Sequence, residues 1–153
     1  MSRPNGATIT ITVANHQRRD PVPLAWLARV ARCAARHLRI GQGQSFSIAF
    51  IDGPTMRALN QRWTRQTGLT DVLSFRYDDA PVTGEILIAP AAARRYARQH
   101  GLGYRQELAR YVIHGLLHWV GHEDRTPTEQ QRMRRLEERA LAHCLGRDGH
   151  SHR

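Results

Sequence analysis

Residues 70–90 read TDVLSFRYDDAPVTGEILIAP, and the chain changes character across them. TDVLSFRY (70–77) and GEILIAP (84–90) are short runs rich in β-branched and aromatic residues, separated by the acidic, proline-containing turn DDAPVT. Runs of that composition bounded by turn residues read as strands. TDVLSF is apolar on both faces, the pattern of a central strand, so Thr70, Asp71 and Ser74 are read as structural, with Ser74 or Thr70 available to line a site.

Upstream, TITITV (8–13) and QSFSIAFID (44–52) alternate with period two and predict two further strands. Between them PVPLAWLARVARCAARHL repeats apolar residues at three and four (Leu24, Leu27, Val30, Ala31, Ala34, Leu38), a helix that Gly41 stops. Gly53 and Pro54 punctuate the start of a short helix, PTMRALNQRW. Downstream of residue 90 only helical patterns follow: AAARRYARQHG, YRQELARYVIHGLLHWVG and TPTEQQRMRRLEERALAHCLG. In the last, Thr126 is the expected N-cap, Pro127 the first helical residue and Glu129 the partner of a capping box. Its Met133, Leu136, Ala140 and Leu141 form an apolar side and its charges a solvated one. Strands early and helices late predict an α+β fold, a small mixed sheet of about four strands covered by about five helices. A single domain is expected over 1–146, with RDGHSHR (147–153) as a disordered tail.

The 153 residues suffice to bury about two thirds of the unfolded chain's surface. Cys33 and Cys144 lie far apart and in no CxxC spacing, so neither a disulfide framework nor a cysteine zinc site is expected. A reduced, cytoplasmic protein is the simplest reading. No apolar run approaches the roughly 18 residues of a membrane span, and MSRPNGATIT lacks the hydrophobic region of a signal peptide. Against 13 acidic residues stand 23 basic ones, all arginine, for a formal charge of +10. That balance favours an acidic partner, nucleic acid first, although a GC-rich genome equally explains the missing lysine. Arg32, Arg36 and Arg39, and Arg94, Arg95 and Arg98, form basic helix faces that read as solvated surface.

HGLLHWVGHED (114–124) carries the chemistry. His114 and His118 stand one helical turn apart, so both rings leave the same face. Leu108, Val112, Leu116 and Trp119 lie on the opposite face, which would bury against the sheet. Gly121 suits the left-handed conformation that ends a helix and reverses the chain. Asp124 or His122 then supplies a third ligand, and two imidazoles with one more donor and a fourth position for water form the pattern of a catalytic zinc site. Metalloproteases of the HExxH type place glutamate at the position held here by Gly115, which demotes a protease. Glu107 and Tyr111 share the His114 face, but two turns set Glu107 about 10 Å away, too far for direct proton transfer. His143, His150 and His152 fall near or in the tail and are not expected as ligands.

HGLLHWVGHED, with LNQRW (59–63), TDVLSF, GEILI (84–88), Glu107–Leu108 and the RMRRLEE helix, resembles the YbeY family of metal-dependent endoribonucleases in order and spacing. The resemblance implies an α+β fold, one zinc ion per chain and ribosomal RNA as substrate, with the ribosome or its small subunit as partner and no membrane or small-molecule cofactor. The family's HGxLHLxGYDH segment puts its third histidine at position 124, so the resemblance implies His114, His118 and Asp124 as ligands, a carboxylate being a competent replacement. The family's LNxxYR arginine falls at Thr64, with Arg65 one residue along, and Arg65 is the implied phosphate-handling residue beside His114 and His118. A zinc ion would activate water either to attack phosphorus or to deprotonate a ribose 2′-hydroxyl. Two other classes remain open. One is a peptidase-like hydrolase recruiting Glu123 as base, and the other a metal-stabilised RNA- or ribosome-binding protein without catalysis.

Overall fold

In the computed structural model, which describes residues 8–63, 71–78 and 80–149, the elements follow the periods of the sequence. They are β1 (Thr10–Asn15), α1 (Leu24–His37), β2 (Ser45–Phe50), α2 (Gly53–Trp63), β3 (Val72–Arg76), β4 (Gly84–Ile88), α3 (Pro90–His100), α4 (Tyr104–Val120) and α5 (Pro127–Gly149). The described strands form one mixed sheet in the order β1-β2-β4-β3. β1 and β2 are parallel, β2 and β4 are parallel, and β3 runs antiparallel to β4. The α+β architecture is therefore the expected one.

Alternation explains which face is covered. Phe46, Ile48 and Phe50 of β2 are buried and stand in register with Gly84, Ile86 and Ile88 of β4. Helix α4 lies across β3 and β4 on that face, and α1 and α5 pack beside it. Leu108, Val112, Leu116 and Trp119 are all buried, as their spacing predicted. Gly84 leaves the space that the Phe46 ring and the Trp119 indole fill edge to face, with centroids 4.9 Å apart. Burial of each large aliphatic side chain on α4 contributes roughly 1.5–3 kcal/mol, so this helix is anchored independently of any ligand.

Three expectations are corrected. Within that run, β3 (Val72–Arg76) is an edge strand that, among the described strands, pairs with β4 alone. Its apolar character arises because α4 covers it from above: Ser74 Oγ donates to the Gly115 carbonyl (2.9 Å) and an Arg76 amino group to that of Trp119 (2.9 Å). A helix laid over an edge buries it much as a second neighbouring strand would. Helix α1 ends before Gly41, because Arg39 takes the left-handed conformation (φ 60°) and the Ile40 N–H closes back on Ala35 O. Cys33 and Cys144 form a disulfide joining α1 to α5. Their 111-residue separation concealed a proximity that only the packing of the two helices creates.

Helix α5 runs to Gly149, past the expected end at 146, and the remainder of the expected tail lies outside the described residues. No helix among the described residues is long and apolar enough to cross a membrane.

Candidate metal centre

His114 and His118 reach the same point because α4 is regular through both and its opposite face is fixed on the sheet. The helix then stops at Gly121, whose φ of 119° only glycine adopts without strain. The His122 N–H bonds back to Leu117 O at 3.0 Å, which turns the chain towards the histidine face. Asp124 arrives there and the next helix is capped at once. Thr126 Oγ1 accepts from the Glu129 N–H (3.1 Å) while Glu129 Oε1 accepts from the N–H groups of Thr126 (3.1 Å) and Arg125 (2.9 Å). Gln130 donates to the Asp124 carbonyl at 3.1 Å. The loop holding the third donor is thus pinned at both ends.

His114 Nε2 and His118 Nε2 are 3.0 Å apart, and Asp124 Oδ2 lies 3.4 Å from the first and 3.5 Å from the second. Tetrahedral zinc with bonds of about 2.0–2.1 Å separates its ligand atoms by roughly 3.3–3.4 Å, so the triangle has the dimensions of three corners of such a site. Among the described residues, these three are the group whose donor atoms converge in this way. The residues present therefore fit a divalent ion of the kind that nitrogen and oxygen donors hold. Asp124, and not His122, is the third member of this group among the described residues.

Electrostatics agree with the geometry. Burial alone would lower His114, but hydrogen bonds to Asp124 and Glu137 and the charges of both push it up to about 9. His118 is held below its ordinary value by burial and by the His114 charge. Asp124 is held down first by its hydrogen bond to His114, against a smaller effect of burial. The three groups share charge and protons at one point, and protons and metal ions compete for the same lone pairs.

Glu137 was assigned to a solvated side and is not there. It is 6% exposed, and its Oε2 accepts from His114 Nδ1 at 2.5 Å. Its Oε1 lies 3.5 Å from an Arg110 amino group, which also reaches Glu138 at 2.6 Å, while Arg110 Nε meets Glu107 at 3.4 Å. The available signal was the spacing: Glu137 is four residues after Met133 and four before Leu141, a charge standing on the apolar stripe of α5.

A cleft of about 1070 Å³ opens over the donors, lined among others by Asp71, Ser74, Glu123, Arg125 and Arg134. Asp71 accepts from the Tyr111 hydroxyl (3.2 Å), and its carboxyl is raised by burial; with Ser74 bonded to α4, both are engaged structurally as well as lining the cleft. Glu107, 2% exposed, is occupied with Arg110 and is raised by burial. Glu123 is exposed and lies 3.8 Å from Arg125. Arg65, Thr64 and Thr70 lie outside the described residues.

A family model described as Endoribonuclease YbeY matches residues 12–145. Among curated relatives, a Myxococcus xanthus protein named Endoribonuclease YbeY is 36% identical over 140 residues, spanning 87% of this chain and 47% of its own. The chain thus covers about half the length of that relative. Relatives of the same name from Corynebacterium kroppenstedtii (34% identity, 88% of this chain and 73% of its own) and Chlamydia felis (29%, with 94% of each) are covered more fully. The solution structure of TM1509 from Thermotoga maritima superposes with a TM-score of 0.63 at 23% identity, over 93% of each chain, and so shares the fold.

Proposed function

The chain belongs to the YbeY family, and from that premise we propose that it is a metal-dependent endoribonuclease acting in ribosomal RNA maturation. The observation that carries the reading is the His114–His118–Asp124 triangle at 3.0–3.5 Å on the floor of an open cleft. His114, His118 and Asp124 would hold one zinc ion per chain, which when bound would supply Lewis acidity and lower the pKa of a coordinated water. The protein's part is to orient and neutralise. His114 and His118 present their Nε2 atoms to one point, and Arg65 supplies positive charge to the anionic transition state at phosphorus. The formal charge of +10 favours RNA over a neutral substrate. Such a substrate, and no longer the cysteine usage, supports the cytoplasm as location and the ribosome or its small subunit as partner, since Cys33 and Cys144 are bonded.

A peptidase reading has less support. A glutamate replacing Gly115 would point at Ile86 in the core, and Glu123 stands exposed beside Arg125. The test is metal content by mass spectrometry on wild type, His118→Ala and Asp124→Ala, with cleavage of structured ribosomal RNA with and without chelator. About one zinc per wild-type chain, lost from both variants together with chelator-sensitive cleavage, is the expected result. Zinc-loaded wild type that binds RNA in a salt-dependent way without cutting it would reduce the function to binding.

A further inference from the structure

We propose that Glu137, held in place by Arg110, is a positioning residue that fixes the His114 ring with its Nε2 lone pair towards the metal site and thereby sets the affinity of that site. The proposal rests on the metal-centre reading above and adds residues from α5 and the interior of α4 to it. The two nitrogens of an imidazole lie on opposite sides of the ring, and the bond made by one decides what the other offers. A carboxylate accepts, so the 2.5 Å contact to Glu137 Oε2 places the proton on His114 Nδ1. Nε2 is then left to face His118 and Asp124, where the ligand atoms converge.

The carboxylate itself must be held. Glu137 is buried, and an unpaired charge there would be costly. Arg110 provides the partner from α4, one turn before His114, with an amino group 3.5 Å from Glu137 Oε1. That guanidinium is in turn fixed by Glu107 on its own helix and Glu138 on α5. The result is a line of contacts from Glu138 through Arg110 and Glu137 to His114. Its members come from two helices, so the ring is oriented by how α4 and α5 pack as well as by its own rotamer.

The experiment uses the full chain, stripped of metal and titrated with zinc against a chromophoric chelator, for wild type, Glu137→Gln, Arg135→Gln and Arg110→Gln. Glu137→Gln is expected to weaken zinc binding about 10- to 100-fold and to shift the visible absorption of the cobalt-loaded protein, a readout of ligand field that a merely structural role would not move. Arg135→Gln, exposed on α5 and outside that line of contacts, should keep the wild-type cobalt spectrum and stay within about threefold of wild-type affinity. Arg110→Gln approaches the same line from its other end and should weaken binding several-fold; it decides the matter if Glu137→Gln does not fold. Wild-type affinity and cobalt spectrum in a folded Glu137→Gln, or in Arg110→Gln should the former not fold, would overturn the proposal while leaving the endoribonuclease reading intact. A wild type that takes up no zinc would overturn both.

Discussion

A Cβ built on Gly115 would stand 2.6 Å from Ile86 Cγ2, closer than side chains tolerate, and Ile86 is a β-branched residue at the centre of the sheet with no free end to move. Gly115→Ala is therefore expected to push α4 off β4. The strain of such overpacking, typically 1–3 kcal/mol, outweighs the gain of nearly 1 kcal/mol that alanine brings to a helix interior. A lower urea midpoint with an unchanged slope would show it, and zinc affinity should fall with it because His114 is the neighbouring residue. The same contact gives a physical reason for the glycine in HGLLH: position 115 belongs to the sheet contact while 114 and 118 belong to the cleft. The spacing of the two histidines and the reversal at Gly121 were legible because both are local properties of a helix and its end. The preference for Asp124 over His122 came only through the resemblance, since both lie within reach of a turning chain. Glu137 was hidden because its partner is 23 residues away and on another helix.

Two helix starts, those of α2 and α5, are held by side chains, while α1, α3 and α4 have no side-chain cap. Asp52 accepts from the Thr55 N–H at 2.8 Å, and its own carbonyl takes the Met56 N–H, so it is the N-cap of α2. Hydrogen bonds from the side chain and then the backbone of Thr55 hold its carboxyl below the ordinary carboxylate range. A carboxyl depressed in the folded state binds fewer protons there than when unfolded, so its contribution is present above the unfolded value and is lost as pH falls through the folded one. Asp52→Ala should lower the melting temperature at neutral pH and make little difference in strong acid, a pair of calorimetric scans being enough to decide. The capping box at Thr126 was legible from sequence because its two members are three residues apart and reciprocal. Strand positions were legible to within two residues, but strand order was not: alternation marks a buried face without saying whether a strand or a helix does the burying, which is how an edge strand came to read as central.

For the molecule as a whole, the sheet and its helices are assembled from distant parts of the chain, and the Cys33–Cys144 bond ties the first helix to the last. A cross-link closing 111 residues removes about 4–5 kcal/mol worth of unfolded-chain freedom in the loop-entropy model. Cys33→Ser with Cys144→Ser should accordingly unfold at lower urea, by up to that amount, and reductant should shift wild type towards the variant while leaving the variant unmoved. The bond has a further, topological consequence. Between the two cysteines the backbone is a closed ring, with only the end segments hanging from it. A single protease cut anywhere in that ring would leave one covalent body that migrates whole on a non-reducing gel and falls into two pieces once thiol is added.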